Sequence, residues 1–268
     1  MVSARTQLAV LAAAVLLSSA CGGGRGAAGA SFEPAKAGVL TVATAFLPAP
    51  GFWEGNPPTH GFEAQLAAAL AQQLGVDRVQ VVQVPFAQII RGKLRGADIA
   101  LSQLTPTEER EHAVDFTDPY LTAPPGVLAR RQVDAADEKD LRALQWVVSS
   151  ASTLTPIVMH RVRPTKAPVV VEDREQALDV LRSGRAEALL LDLPVALGLA
   201  HDDPDLFHVP AQLDGGESLA AALHNGSPNR EVVDSAIRSL VADGTVEKLV
   251  TRWLGESAED VPLILTEE

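Results

Sequence analysis

One cysteine in 268 residues leaves no partner for an intrachain disulfide, so the fold must be held by its apolar core. Basic residues are also in deficit. Lys and Arg number 22 against 34 Asp and Glu, a formal net charge of −12. That balance argues against nucleic acid, because phosphate binding needs a basic face, and it does little to attract anionic lipid. Any anion bound here must be caught by a local site, not by the overall field. No GxSxG elbow and no HExxH helix occurs, which removes the commonest hydrolase signatures. The six histidines are scattered. Their one cluster, His201-Asp202-Asp203 with His208, reads as a solvated loop or, alternatively, a metal site. No cofactor is expected. What remains is an ordinary globular balance of 47% hydrophobic and 21% charged residues, enough for one large domain or two small ones.

The N-terminus is set apart from this body. MVSARTQ carries one positive charge and precedes LAVLAAAVLL, an apolar run too short to span a bilayer. Small residues then lead to Cys21. This is the layout of a secretory signal peptide over residues 1–20. Leu17-Ser18-Ser19-Ala20-Cys21 resembles a bacterial lipobox, which makes Cys21 a candidate lipidation site; a plain signal peptide with an incidental cysteine is the alternative. The following GGGRGAAGAS contains a GxGxxG match, but that fingerprint works only between a strand and a helix. Its composition is that of a flexible linker, expected over residues 21–37, which would hold the body roughly 20 Å from its anchor.

From residue 38 onward apolar runs alternate with helical patterns. Strands are expected at 39–44, 79–84 and 98–103. Between them lie a helix carrying Phe62, Leu66, Leu70 and Leu74 on one face, with Gly75 as its stop, and a second helix from Ala87 to about Arg95. The rhythm repeats with strands at 145–150, 168–171 and 187–192, a helix near 153–162 and another capped by Asp173 and Gln176. An apolar strand, ESLAAALHNG, precedes two closing helices, the first starting at Ser227-Pro228. Two β-α-β-α-β sets joined by extended segments predict an α/β protein of two lobes, each a mostly parallel sheet flanked by helices, with a double-strand hinge. The lobes are expected at 38–125 with 220–268, and at 126–219. A cleft between lobes is a preferred ligand site.

The turn after the third strand carries the chemistry. Thr105 as N-cap, Pro106 at the first position and Glu108 at the third predict a helix whose free amides face the cleft side of the sheet. Arg110 follows within that helix, able to offer a planar fork to a carboxylate. Flanked by Glu108, Glu109 and Glu111, it also fits a solvated salt-bridge partner.

The motifs here settle which family the chain resembles. Thr105-Pro-Thr107-Glu-Glu-Arg110, then Val114-Asp115-Phe116-Thr117-Asp118-Pro119-Tyr120, is similar to the extracellular solute-binding proteins of ABC transporters, family 3. The likeness extends through Gly61-Phe62-Glu63, where Gln65 replaces a second acid, Val84-Pro85-Phe86, and Ala242-Asp-Gly-Thr245 to Trp253-Leu-Gly255. The resemblance implies a type II periplasmic-binding-protein-like fold closing on an amino acid or related small carboxylate. It implies that Arg110 takes the α-carboxylate with Thr105 and the backbone near Gln103, and that Asp192 takes the α-ammonium. Asp192 also fits a helix N-cap. Phe86 corresponds to the aromatic covering the ligand side chain, or lies in the core. Phe52, with Phe46, is a candidate for the opposite wall, and Ser152 and Thr153 for the carboxylate site from the other lobe. The partners implied are transmembrane permease subunits and, through the lipid, the outer face of the cytoplasmic membrane, with the protein itself a monomer.

Three departures bear on the side-chain pocket: Ala45 where an acid is common, Ser149-Ser150-Ala151-Ser152 where a charged or polar residue precedes Ser-Gly-Thr, and Leu191 before Asp192. They suggest a ligand with a small, apolar or uncharged side chain. Two other functions fit the resemblance: a sensor subunit that feeds no transporter, and a cyclohexadienyl-dehydratase-like enzyme. The latter needs a poised carboxylic acid, which SSASTLTP lacks.

Overall fold

A computed structural model describes residues 31–255 and 261–266. The expected signal peptide, Cys21 and the first part of the expected linker lie outside the described residues. The rest of the expected linker is not free chain. Glu33 and Asn229 exchange two hydrogen bonds, and Ala35 N donates to the Asp98 carboxylate at 2.7 Å.

Two mixed sheets form two lobes. The first has the order β2-β1-β3-β10-β4, built from β1 (Val39–Thr44), β2 (Arg78–Gln83), β3 (Ile99–Ala100), β4 (Val114–Ala123) and β10 (Glu217–His224). β1 pairs in parallel with β2 and β3, and β10 runs antiparallel to β3 and β4. All six residues of β1 are buried, as expected for a strand covered on both faces. The second sheet, β11-β9-β5-β8-β6-β7, comprises β5 (Pro125–Arg130), β6 (Trp146–Ser149), β7 (Val169–Val171), β8 (Ala188–Asp192), β9 (Phe207–Leu213) and β11 (Leu263–Ile264). Here β6, β7 and β8 are mutually parallel, while β5 runs antiparallel to β8 and β9. The lobes are joined where β4 passes into β5 and where β9 passes into β10. The second passage turns on Asp214-Gly215-Gly216. Gly215 sits at φ +92, which favours glycine, and a Cβ on Gly216 would lie 3.1 Å from Thr122 Cγ2, so a side chain there would have to displace that methyl slightly.

The expected lobe boundaries shift at two points. β10 begins at Glu217, three residues before the expected return to the first lobe. The C-terminus, expected with the first lobe, instead places β11 beside β9 of the second.

Helix α1 (Phe62–Gln73) buries Phe62, Leu66 and Leu70 and ends at Leu74 before Gly75, at φ +71. Its first amides are satisfied by backbone, with Phe62 N donating to Gly51 O and Glu63 N to Phe52 O. That closure needs Gly61, at φ +99, because a Cβ would lie 2.5 Å from Phe52 O. The helix expected over 87–95 is only α2 (Phe86–Ile89), cut short by positive φ at Gly92, Arg95 and Gly96. The segment 153–162 resolves into α5 (Thr155–Ile157) and a π turn over Val158–Val162. α6 (Arg174–Arg182) starts as expected, with Asp173 Oδ1 accepting from Gln176 N at 2.9 Å. α8 (Arg230–Ala242) starts two residues past the expected proline.

Phe52 is a correction. Its ring is fully buried in the first lobe, 5.8 Å from Phe62 in an edge-to-face pair, and it does not reach the cleft. The Gly51–Phe52 backbone that closes α1 drives the side chain inward. Phe52→Ala should therefore cost about 3–5 kcal/mol of stability while leaving ligand affinity in the folded protein unchanged, as read by denaturant titration and calorimetry. An affinity loss without a stability loss would return Phe52 to the binding wall.

Candidate functional site

The cleft between the lobes is lined from the first lobe by Leu47, Phe86, Gln103, Thr105, Arg110 and Glu217, and from the second by residues of the β6–α5 turn, α6 and β8. The short helix α3 (Glu108–Glu111) presents Arg110, but its cap is not the expected one. Thr107 is the N-cap, its hydroxyl accepting from Arg110 N at 3.2 Å. Thr105 therefore keeps its hydroxyl for the cleft, and a four-residue helix adds little dipole.

Arg110 is not a surface charge. It is 8% exposed, its guanidinium donates to Thr105 O at 2.8 Å and to Ala151 O at 3.0 Å, and it stacks 5.5 Å from the Phe86 ring centre. The Ala151 bond crosses from one lobe to the other. Burial lowers its pKa, opposed by the negative charges of Glu217 and Glu109; a guanidinium nonetheless stays cationic. Phe86 is half-buried beneath it, so that aromatic serves both cleft and core edge.

Gln103 sits at φ +49, unusual for a residue with a side chain. Its amide donates to Glu63 Oε1 at 2.7 Å, and its side-chain oxygen accepts from Arg174 of the second lobe at 2.6 Å. Glu63 is fully buried and also accepts from Tyr120 Oη at 2.5 Å and Trp53 Nε1 at 2.6 Å. Desolvation raises its pKa in spite of these donors.

Asp192, last residue of β8, precedes α7 (Leu193–Asp202) without capping it by its side chain. The carboxylate is 5% exposed, and its Oδ1 is buried with no hydrogen-bond partner among the described residues. Burial lifts its pKa to about 6, Arg174 pulling it down and Glu217 pushing it up. Ser152 and Thr153 line the same cleft. Ser152 Oγ accepts from Leu154 N at 3.2 Å, a bond that uses one lone pair and not its proton, whereas the Thr153 hydroxyl donates across the lobes to Glu217, which also accepts from Thr105 Oγ1 at 2.9 Å. Phe46 packs edge-to-face on Trp53 at 6.4 Å; Leu47 is the wall residue on that side.

Sequence reasoning missed Glu217 and Arg174. Both follow structural punctuation, Glu217 the Asp-Gly-Gly turn and Arg174 the Asp173 cap. These signals mark where elements begin but not what they face. The two residues supply polar groups that Ala45, Leu191 and Ser149–Ser152 do not. Among the described residues no cluster of His, Cys, Asp and Glu could hold a metal, and the His208 ring is engaged by Val133 O at 2.5 Å.

A carboxylate raised on folding destabilises the native state at neutral pH. The folded form binds more protons than the unfolded between the unfolded value near 3.8 and about 6, so stability falls as pH rises through that window and the penalty is complete above it. Asp192→Asn should stabilise the ligand-free protein at pH 7 by roughly 1–3 kcal/mol, with the gain vanishing below about pH 4. Thermal melts across pH read this directly; a gain of equal size at both ends would assign the effect to packing.

Known proteins share the sequence pattern and the fold of this chain. The family model of bacterial extracellular solute-binding proteins, family 3, matches residues 40–256. The arginine-binding extracellular protein ArtP of Bacillus subtilis (strain 168) is 28% identical over 202 residues, covering 72% of this chain and 77% of that protein. An ancestral arginine-binding protein bound to glutamine superposes with a TM-score of 0.68 at 30% identity, covering 82% of this chain and all of that one. The ancestral amino-acid-binding protein AncCDT-1, described as a precursor of cyclohexadienyl dehydratase, gives 0.65 at 30% identity, over 81% of this chain and 95% of that one. The two-lobed architecture is that of the type II periplasmic binding proteins. With the match spanning both lobes, the hinge and the cleft, the chain belongs to the bacterial extracellular solute-binding proteins, family 3.

Proposed function

We propose that this substrate-binding protein captures an α-amino acid between its lobes and delivers it to the transmembrane subunits of an ABC importer. One observation carries the reading. Arg110, buried on the first lobe, and Asp192, with a buried unpartnered oxygen on the second, place opposite charges across one cleft. A zwitterion spans such a pair, its carboxylate meeting the guanidinium fork and its ammonium meeting the desolvated carboxylate. The names of relatives that bind arginine, cystine and glutamine support an amino acid as ligand.

Thermal unfolding of the chain from Ser31 onward against the twenty amino acids tests this. A ligand at a hundred times its dissociation constant adds about 2.7 kcal/mol to stability. Arg110→Ala should weaken binding by about a hundredfold or more, since it leaves a carboxylate without its buried partner. No shift with any amino acid would reject the reading. Uptake of the same amino acid by cells lacking the chain separates import from sensing: undiminished uptake favours a sensor subunit.

A second reading, a dehydratase on the same fold, draws on Asp192, whose carboxyl is raised to about 6 inside the cleft and so suits a general acid. Turnover of arogenate or prephenate by the wild type, abolished by Asp192→Asn, would favour it over binding alone.

Cys21, beyond the described residues, is proposed as the lipid anchor outside the cytoplasmic membrane. Labelled palmitate should enter the wild-type chain and not Cys21→Ser, and the variant should leave the membrane fraction. Retention of the variant there would reject lipidation as the anchor.

A further inference from the structure

We propose that Glu217, with the hydroxyls of Thr105 and Thr153, forms a subsite that selects ligands by a hydrogen-bond donor on the side chain, basic or amide, and disfavours acidic ones. This rests on the amino-acid reading of the cleft and deepens it.

The argument starts from proton counting. A threonine hydroxyl has one proton and two lone pairs, and a carboxylate has acceptors only. Thr105 of the first lobe and Thr153 of the second both donate to the same oxygen of Glu217, Oε2. Their hydroxyl oxygens lie 3.5 Å apart. With both protons so committed, Glu217 and the two threonine hydroxyls show an incoming ligand nothing but lone pairs and negative charge. A ligand carboxylate finds no donor on these three groups. The threonines therefore cannot assist Arg110 with the α-carboxylate in the way the family resemblance implied, unless Glu217 first releases them.

Charge balance leads the same way. Five charged side chains line the cleft: Arg110, Arg174, Asp173, Asp192 and Glu217; Asp173 is taken up as the cap of α6, accepting from Gln176 N at 2.9 Å. Arg174 is engaged by Gln103 Oε1, and its charge acts on Asp192 and Glu63. Arg110, on the same lobe, feels the charge of Glu217. When an α-carboxylate arrives, Arg110 is neutralised by the ligand, and the ammonium answers Asp192. Glu217 is then left facing the ligand with an uncompensated charge that a cation or an N–H donor can satisfy and a second carboxylate cannot. Its position is fixed: Glu217 pairs with Ala123 at the first step of β10, directly after the hinge turn. A charge held on a strand end discriminates better than one on a mobile loop.

Calorimetric titration with the pairs glutamine and glutamate, asparagine and aspartate, together with arginine and leucine, tests this on the wild type and on Glu217→Gln. The wild type should bind the better amide about a hundredfold more tightly than its isosteric acid, the scale of a buried like-charge clash, and should prefer arginine or an amide to leucine. Glu217→Gln keeps the size of the side chain and adds a donor, so the amide-to-acid ratio should collapse towards one or invert. Glu217→Ala should also reduce it, which covers the case in which one variant folds poorly. Equal wild-type affinity for amide and acid, preference for leucine, or a ratio unchanged in both variants overturns the subsite. In those outcomes an amino acid still binds and Arg110→Ala still abolishes binding, so the reading of the cleft stands. Absence of binding by every amino acid overturns both.

Discussion

The buried carboxylate of Glu63 is the point on which the cleft depends. It projects from α1 into the interior of the first lobe and receives three donors from three segments: the Gln103 amide after β3, the Tyr120 hydroxyl on β4 and the Trp53 indole on the loop before α1. A buried carboxylate without such partners would cost several kcal/mol. Even with them, desolvation raises its pKa, so burial outweighs the bonds. What the arrangement secures is geometry. Gln103 is held at positive φ, a conformation that costs of order 1–3 kcal/mol and persists only where the surroundings impose it. From that turned backbone the Gln103 side chain reaches Arg174 on the opposite lobe. A helix in the first lobe is thereby linked, through one carboxylate and one amide, to the helix start that lines the cleft from the second.

The same trade recurs on the other wall. Asp192 lies buried with an oxygen unsatisfied, and Arg110 is buried with its bonds spent on backbone carbonyls. Neither arrangement is what stability alone would select. Each is what a site needs if the missing partner is to come from outside, because desolvated charges bind a complementary ion more strongly than hydrated ones. The Ala151 bond ties the two walls together, Arg110 reaching across to the second lobe.

Much of this was legible in the sequence, for identifiable reasons. Strand β1, helix α1 and helix α6 carry period, cap and stop signals that agree, and they fall where the pattern puts them. Arg110, Asp192 and Phe86 were found through motif order, and they converge on one cleft. The misses have physical causes. The cap moved from Thr105 to Thr107 because two threonines flank Pro106, and local pattern cannot say which hydroxyl turns inward. Phe52 was a candidate for the wall on the family resemblance, whereas the Gly51 and Gly61 approach folds its loop onto α1. Glu217 and Arg174 are invisible as site residues until two distant segments are brought together. No local period encodes that meeting. The C-terminal segment was assigned to the first lobe for the same reason, since the two residues of β11 carry no topological information.

That strand sets a mechanical limit. After Leu254 in the first lobe the chain reappears at Leu263, beside Gln212 of the second, and Asp214 at the hinge takes both Thr266 and Arg161. The lobes are therefore spanned by three stretches of chain. The third is a strap of fixed length. Nine residue steps reach at most about 30 Å when drawn straight, so the gape of the cleft has a hard stop.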